Sequence, residues 1–313
     1  MSGFDINDPQ VTGYLHPAYA ASLAEFGTPR LLDHSLGWIL EREIPGTRIR
    51  DAMGCYPLFA CQNWSRLPDD LSELESDLVS LALVTDPFGD YSLEDLQACF
   101  PDRLLAFKEH FVVDFGAPES MSKHHRYYAQ RARAAVEVEA IANGPGVLDE
   151  WIRLHANLSS RYGLTGIKAF SASSFGQQLN IPGVVILRAH QAGETVGAHI
   201  WYVQQQIAYS HLAALSERGY ELMASYALYA YALEYFSDRV RLMDLGGSAG
   251  LGLNESRGNG LIRFKRGWAN TTRTAYFCGK ILNQKRYHEL LGSSGALEDQ
   301  YFPAYRAGEF IRD

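Results

Sequence analysis

Residues 184–212 read VVILRAHQAGETVGAHIWYVQQQIAYSHL, and this stretch decides the fold. It contains three runs of branched and aromatic residues, 184–190, 196–203 and 207–212, separated by the turns QAGE and QQQ. Runs of this kind between turn residues are typical of β-strands, and such short connections join antiparallel neighbours. The stretch therefore predicts a three-stranded antiparallel meander.

Helix and strand patterns flank the meander on both sides. In chain order they are strand 136–141, helix 147–162, helix 173–179, helix 223–236, strand 240–245, helix 261–268 and strand 272–277. Because a helix connects the last meander strand to strand 240–245, these two strands are expected to lie parallel. Parallel strands that separate at their carboxyl ends leave a crevice, which is a common ligand site in α/β sheets.

The segment before residue 136 also predicts helices and strands. Residues 78–85, LVSLALVT, indicate a buried strand that stops at an Asp-Pro pair. Residues 104–115 are expected to pass from helix to strand, and Ser122 is expected to cap a helix over residues 123–134. The sequence as a whole predicts an α/β protein with a mixed sheet.

Composition indicates an ordinary globular protein. The chain has 313 residues, with 47% hydrophobic and 20% charged residues. This length predicts about two domains. Its net charge of −8 disfavours duplex DNA as the main partner, because proteins that bind duplex DNA are usually basic.

Apolar runs and cysteine usage bear on the compartment. No run of roughly 18 apolar residues is present, and residues 1–5 lack the pattern of a secretory signal. The cysteines form no CxxC pair and are expected to be buried free thiols. No histidines or carboxylates stand at metal-ligand spacing, so no metal is expected. We expect a cytoplasmic protein without a transmembrane segment.

Two motifs lie at the end of strand 240–245 and in the helix after it. The first is Asp244-Leu245-Gly246-Gly247, and the second is GLIRFKRGW at residues 260–268. With the element order above, they resemble the Fem-type branch of the GNAT superfamily of acyltransferases. Members of that branch are aminoacyl-tRNA-dependent peptidyltransferases that build peptidoglycan cross-bridges, and their relatives act in cell-envelope and natural-product pathways. The resemblance covers about residues 120–280.

This resemblance implies two GNAT-like halves, a degenerate one at residues 1–135 and a complete one at residues 136–313. It also implies transfer of an acyl group to an amine, which forms an amide bond. The expected donor is aminoacyl-tRNA, without a further cofactor. The expected acceptor is an amine-bearing small molecule or peptide, which includes one at a membrane surface.

Coenzyme A is the alternative donor on the same fold. Acetyltransferases hold its pyrophosphate on backbone N–H groups at a helix N-terminus, in a turn of pattern Arg/Gln-x-x-Gly-x-Gly/Ala. The equivalent residues 214–222 read ALSERGYEL, where only Gly219 fits and Glu217 and Glu221 oppose a pyrophosphate. The pattern favours aminoacyl-tRNA over a coenzyme A thioester. A non-catalytic binding protein on this fold is a second alternative.

Lys265 is the first candidate catalytic residue. The resemblance implies that the lysine of the Phe-Lys pair stabilises the reaction intermediate, and a cation that faces splayed strands can neutralise an oxyanion. The alternative is a solvated surface lysine. Arg263 and Arg266 flank Lys265 and are candidates for binding a phosphate, of tRNA or of a nucleotide-linked acceptor.

Asp244, Gly246 and Gly247 are candidate substrate-binding residues at the end of their strand. Asp244 either positions the substrate or caps the Gly-Gly turn through backbone N–H groups. The two glycines fit a backbone with positive φ. The sequence leaves both interpretations of Asp244 open.

Tyrosines and histidines near the crevice are candidates for moving the proton of the attacking amine. Tyr209 is the candidate catalytic shuttle, and Tyr226 is either a second shuttle or a core residue. His211 and Tyr226 are also candidate substrate-binding residues. His211 and His199 are candidate bases, or one of them is a metal ligand, or both are histidines that are hydrogen-bonded within the sheet.

The predicted helix over residues 123–134 is the most basic segment of an acidic chain. We expect Lys123, Arg126 and Arg133 to contact the phosphates of tRNA. The alternative is a solvated face, which is the usual role of a run of charges.

Overall fold

The computed structural model describes residues 5–6, 8–119, 121–141, 144–247, 255–294 and 301–309. These residues fall into two compact units. The first unit comprises Tyr14–Phe107 and Thr274–Asp313 together with the start of the chain, and the second comprises Asp8–Gly13 and Lys108–Arg273.

Helices and strands alternate along most of the chain, as in other mixed α/β folds. The described strands are β1 (Thr28–Leu31), β2 (Trp38–Glu43), β3 (Arg50–Gly54), β4 (Leu78–Val84), β5 (Arg103–Asp114), β6 (Glu137–Ile141), β7 (Val184–Gln191), β8 (Glu194–Gln204), β9 (Ile207–Leu215), β10 (Leu242–Gly247) and β11 (Thr271–Ile281). The described α-helices are α1 (Pro17–Ser22), α2 (Leu67–Leu74), α3 (Leu93–Cys99), α4 (Lys123–Arg133), α5 (Leu148–Tyr162), α6 (Ala172–Gln178), α7 (Glu217–Glu221), α8 (Ala224–Phe236), α9 (Glu255–Arg266) and α10 (Gln284–Ser294). Within the described ranges, none of these helices has the length and apolar character that crossing a lipid bilayer requires.

The sheet of the first unit has the strand order β1-β2-β3-β4-β11. Neighbouring strands pair antiparallel, except that β3 and β4 run parallel. Phe59 and Phe100 lie in its hydrophobic core, and β4 is the buried strand predicted at residues 78–85. Arg306 donates to the fully buried carboxylate of Asp51 at 2.9 Å, which ties the carboxyl-terminal segment to β3.

The second unit contains the predicted meander. Its sheet has the order β5-β10-β9-β8-β7-β6, in which β7, β8 and β9 pair antiparallel. β10 pairs parallel with β9, with Leu242 opposite Ile207. The connection between them contains α8, whose small residues Ala224 and Ala227 are fully buried in one core with Trp201. The predicted meander and the predicted crossover are both confirmed.

β5 differs from its prediction. Residues 104–115 do not pass from helix to strand, because β5 is one continuous strand over Arg103–Asp114. Its second half pairs antiparallel with β10, with Val113 opposite Met243. The helix-compatible residues at the start of β5 adopt the extended form because tertiary pairing overrides a weak local preference.

The compact units are bounded differently from the predicted division at residue 135. α4 and the second half of β5 belong to the second unit, because α4 packs against α8. The ring centroids of His125 and Tyr226 are 5.3 Å apart across this contact. α4 begins as predicted, with the Ser122 hydroxyl accepting a hydrogen bond from the His125 N–H. The assignment of GNAT-like halves to residues 1–135 and 136–313 stays a prediction.

Candidate active site

The candidate residues at the end of β10 lie where its parallel pairing with β9 ends. The parallel register of β9 and β10 reaches Asp244 opposite Tyr209. Beyond this pair, β9 continues to Leu215 and β10 to Gly247. Side chains at the carboxyl ends of such strands are well placed to meet a ligand.

Asp244 holds the Gly-Gly turn in place. One carboxylate oxygen accepts a hydrogen bond from the Gly246 N–H at 2.8 Å, and the other accepts one from Nδ1 of His110 at 2.9 Å. These bonds offset the cost of burying the carboxylate, which is 1% exposed. Gly246 has a φ of +82°, where glycine is favoured, whereas Gly247 has no positive φ, so the expectation for Gly247 was wrong. The capping role of Asp244 is thus observed, and its role toward a substrate stays a prediction.

Lys265 is a buried lysine on α9, only 9% exposed. Its Nζ donates to the carbonyl oxygen of Gly247 at 2.8 Å, which joins α9 to the Gly-Gly turn. A Cβ atom at Gly246 would lie 3.0 Å from this nitrogen, so a side chain there would crowd it. Burial lowers the pKa of Lys265 to about 8, while Asp244 raises it and the charge of Lys108 lowers it further. Lys265 is therefore mainly protonated near neutral pH.

Lys108 and His110 are site residues that the sequence analysis missed. They alternate with Glu109 on β5, and a Cβ atom at Gly247 would lie 3.0 Å from the side chain of each. Burial, together with the charge of Lys168, lowers the pKa of Lys108 to about 8. The alternation along a strand was the signal for this pair, and the expected helix over part of residues 104–115 concealed it.

A cavity of about 850 Å³ lies in the second unit between α5, α8, α9 and the strands β8 and β9. Its volume falls within the range of roughly 300–1,000 Å³ that is usual for small-molecule sites. The apolar part of its wall consists mainly of Leu158, Leu164, Leu215, Leu228, Leu261 and Phe264. Lys265 is not a lining residue, but its charge is near enough to His199 in the wall to lower the pKa of that histidine.

His199 and Tyr229 bring polar atoms to the cavity wall. His199 is fully buried, and its Nε2 lies 2.7 Å from the Ser210 hydroxyl, to which Tyr229 is also hydrogen-bonded. Nδ1 of His199 has no hydrogen-bond partner among the residues that the structure describes. Burial lowers the pKa of His199 to about 3, with further lowering by the charge of Lys265. His199 is therefore a neutral hydrogen-bonding group and a weak base.

The other predicted shuttles and bases are buried in the second unit or packed among aromatic rings. Tyr209 is 1% exposed. His211 bonds Gln178 through Nε2 at 3.1 Å, and burial lowers its pKa to about 3, which matches a hydrogen-bonded sheet histidine. Tyr226 lies in an aromatic cluster, with its ring 5.0 Å from that of Phe264. The contacts of Tyr226 fit the core role that the sequence analysis left open.

The two arginines beside Lys265 are exposed, unlike Lys265 itself. Arg266 lies 3.8 Å from Glu109 and above the ring of Phe111 at 5.7 Å. Arg263 lies one helical turn before it on α9. Both guanidinium groups therefore stay open to solvent and to an anionic ligand.

The predicted tRNA-binding residues are all exposed on α4. Arg133 forms an ion pair with Glu234 at 2.7 Å, and Arg126 lies 3.8 Å from Glu119. Exposed pairs of this kind are weak, roughly 0.2–1 kcal/mol, and exchange readily. The carboxylates nevertheless reduce the positive field that the sequence of α4 indicates.

The turn at residues 214–222 forms the short helix α7. The Ser216 hydroxyl accepts a hydrogen bond from the Gly219 N–H at 3.1 Å. A Cβ atom at Gly219 would lie 2.1 Å from the carbonyl oxygen of Val196, so this glycine packs directly against β8. The N–H that a pyrophosphate would need at Gly219 is therefore occupied.

Comparison with solved structures identifies a shared fold. FemX aligns at 12% identity over 92% of this chain and 99% of that chain, with a TM-score of 0.67. The DUF2156 domain of a protein named as a lysylphosphatidylglycerol synthetase, from Agrobacterium fabrum, aligns at 15% identity over 88% and 91%, with a TM-score of 0.59. L-PGS from Bacillus licheniformis aligns at 15% identity over 83% and 90%, with a TM-score of 0.56. No protein-family model and no curated protein sequence matches the chain. The fold is α/β and GNAT-like, as the sequence predicts.

Proposed function

We propose that the protein is an acyltransferase that forms an amide bond on an amine acceptor and takes its acyl group from aminoacyl-tRNA. The observation that carries this proposal is Lys265, a buried cation bonded to the Gly-Gly turn at the end of β10. The cavity beside it has the size of a site for a small ligand. The shared fold with FemX and L-PGS supports the same class of chemistry by analogy.

In the proposed reaction the acceptor amine attacks the ester carbonyl carbon of the aminoacyl-tRNA. A C–N bond forms, the carbonyl oxygen becomes an oxyanion, and collapse of this intermediate breaks the C–O bond to the ribose. A lysine ammonium carries three N–H donors, and the bond from Lys265 to Gly247 uses one of them. The other donors stabilise the oxyanion, and burial strengthens this effect because little water screens the charge.

The proton balance needs no additional reactant. The attacking amine loses a proton, and the departing ribose oxygen gains one. Tyr209, opposite Asp244 at the end of the parallel register, is the proposed shuttle. Asp244 and His110 act as positioning residues, since they fix the turn that Lys265 binds.

The contacts at residues 214–222 support aminoacyl-tRNA rather than coenzyme A. Ser216 occupies the Gly219 N–H, and Glu217 places a carboxylate at the same turn. A pyrophosphate needs free N–H groups and no nearby negative charge. The exposed cations of α4, with Arg263 and Arg266, are the proposed contacts for tRNA phosphates.

The direct test is product analysis after incubation with pooled aminoacyl-tRNAs and a lysine-containing peptide as the amine acceptor. We expect a mass increase equal to one aminoacyl residue, in an amide that resists the mild alkali that cleaves esters. Calorimetric titration with coenzyme A is the companion experiment. Tight coenzyme A binding, or transfer from acetyl-coenzyme A in place of aminoacyl-tRNA, would overturn the choice of donor.

A further inference from the structure

The described charges at the cavity are positive. Among the described residues that line the cavity, Arg161 is charged and none carries a carboxylate. Glu217, the carboxylate nearest to Arg161 in the described pairs, lies 3.3 Å from that guanidinium. Lys265 adds a buried positive charge close enough to lower the pKa of His199. A cationic ligand group would therefore find positive charges here and no described counter-charge in the wall.

The apolar part of the wall is large. Leu215 and Leu228 are buried, and Phe264 and Leu261 extend the surface along α9. Burial of an aliphatic or aromatic group against such a wall is favourable by roughly 25 cal/mol per Å². Burial of an ammonium or carboxylate without a partner costs several kcal/mol.

His199 is the buried polar side chain of this wall with an orphan atom. Its Nε2 is held by Ser210, whereas Nδ1 has no partner among the described residues, although the side chain is fully buried. Leaving a polar atom unsatisfied in a protein interior costs about 1–3 kcal/mol. A ligand that supplies a hydrogen-bonding atom at Nδ1 would recover this cost, so a group that is largely apolar and has a polar end suits this part of the cavity.

We infer that the cavity binds the aminoacyl group of the donor and selects one with an uncharged, apolar side chain, with Nδ1 of His199 bonding its polar backbone end. This inference rests on the proposed function and adds the class of donor. Leucyl, methionyl and phenylalanyl groups fit it. Lysyl and glutamyl groups do not: a lysyl ammonium would lie beside positive charges, and a glutamyl carboxylate would have to displace Glu217 from Arg161, the charged residue of the described wall.

The first test measures binding, which does not depend on turnover. The probes are 3′-aminoacylamino-3′-deoxyadenosines carrying leucyl, phenylalanyl, lysyl or glutamyl groups, whose amide link resists hydrolysis. Calorimetry should give affinities for the leucyl and phenylalanyl probes at least about tenfold above those for the charged probes, since tenfold corresponds to about 1.4 kcal/mol. Equal affinities, or a preference for a charged probe, would overturn the inference.

The second test places a carboxylate in the wall. Ser225 lines the cavity in the first turn of α8, where an acidic residue suits the helix. Ser225→Asp should shift the ratio of lysyl to leucyl affinity upward by roughly tenfold, and the isosteric Ser225→Asn should keep the leucyl preference. Because Ser225 lines the cavity, an unchanged ratio in a folded Ser225→Asp protein would contradict the inference.

The third test separates the two ring nitrogens of His199. An asparagine amide reaches the position of Nδ1, whereas a glutamine amide reaches that of Nε2. His199→Asn should therefore keep more leucyl-probe affinity than His199→Gln, and thermal unfolding checks that both are folded. The reverse order would assign His199 only to its Ser210 bond. If the protein binds the probes but transfers no aminoacyl group from aminoacyl-tRNA, the proposed function is overturned. The ratios of the probe affinities still test the charge preference in that case.

Discussion

The ammonium of Lys265 lies 2.8 Å from the carbonyl oxygen of Gly247, and this bond connects the last turn of α9 to the end of β10. A lysine buried this far is expensive to keep, because its charge is desolvated. The bond to Gly247 holds the ammonium in a fixed position at the end of β10. Such preorganisation is the property that stabilisation of an oxyanion requires.

Replacement of Lys265 tests this role. Lys265→Met should lower kcat by about 10²–10³ with little change in KM, since the lost interaction forms only in the transition state. Lys285 is an exposed lysine on α10, so Lys285→Met is the matched control and should leave both constants unchanged. A raised KM with normal kcat would make Lys265 a ground-state anion-binding residue instead.

The pH dependence of turnover follows from the lowered pKa. Lys265 must be protonated to stabilise an oxyanion, and its pKa is lowered to about 8 by burial. Turnover of the wild type should therefore fall as the pH rises through about 8. Lys265→Arg keeps its charge at every accessible pH, so its alkaline loss should disappear even if its maximal rate is lower. Rates measured from pH 6 to 10 with both proteins decide this, and an identical alkaline limb in both would assign that limb to another group.

Alanine substitutions at Gly246 and Gly193 separate the effect of backbone strain from the effect of a side chain that crowds Lys265. Gly246→Ala places a side chain at a φ of +82° and 3.0 Å from the Lys265 ammonium. Gly193 has a φ of +83° with nothing within 4 Å of its Cβ position, so Gly193→Ala carries the strain alone. Both should lose about 1–3 kcal/mol of stability, and only Gly246→Ala should lose activity. Equal activities in the two variants would show that the position of the ammonium is not critical.

Buried neutral histidines should make the protein sensitive to acid. The pKa values of His199 and His211 are lowered from 6.5 to about 3 in the folded protein. Between these pH values the unfolded chain binds more protons, so stability falls as the pH drops below 6.5, by up to about 1.4 kcal/mol per pH unit for each histidine. Urea unfolding at pH 7 and pH 5 should show a smaller loss for His211→Gln than for the wild type. The exposed His288 provides the control, since His288→Gln should leave the loss unchanged.

The proposed contact between α4 and tRNA predicts how tRNA binding depends on the salt concentration. Charge reversal at Lys123, Arg126 and Arg133 should weaken tRNA binding and flatten its dependence on salt by roughly one unit of slope per lost phosphate contact. Filter binding at several salt concentrations measures both quantities. Lys285→Glu changes the charge elsewhere and should keep the wild-type slope. Unchanged binding by the α4 variant would leave that helix as a solvated face.

Local patterns were sufficient for the meander and for the helix at Ser122. Strand alternation, turn residues and a serine cap are all encoded within a few neighbouring positions. The start of β5 was mispredicted because the extended form of a strand depends on neighbouring strands that are distant in the chain; β10, the neighbour of its second half, lies more than a hundred residues away. Contacts of that kind leave little local signal.

The same distinction separates the predicted and missed parts of the candidate site. Lys265, Asp244 and the glycines lie in motifs that can be read along the chain. His110 is identified as a site residue only by its bond to Asp244. The unpartnered Nδ1 of His199 is identified only by the burial of this side chain in the wall of the cavity. Burial and pairing of this kind are properties of the folded chain.

The capped amide of Gly219 has a consequence for how this protein can change its donor. Neutral replacements of Glu217 and Glu221 would remove the repulsion of a pyrophosphate, but the Gly219 N–H would still point at Ser216 and its Cα would still face the Val196 carbonyl. On the proposed function, a change of donor to coenzyme A would have to free the Gly219 N–H from Ser216 as well as neutralise the two glutamates, so no single substitution at this turn would be sufficient.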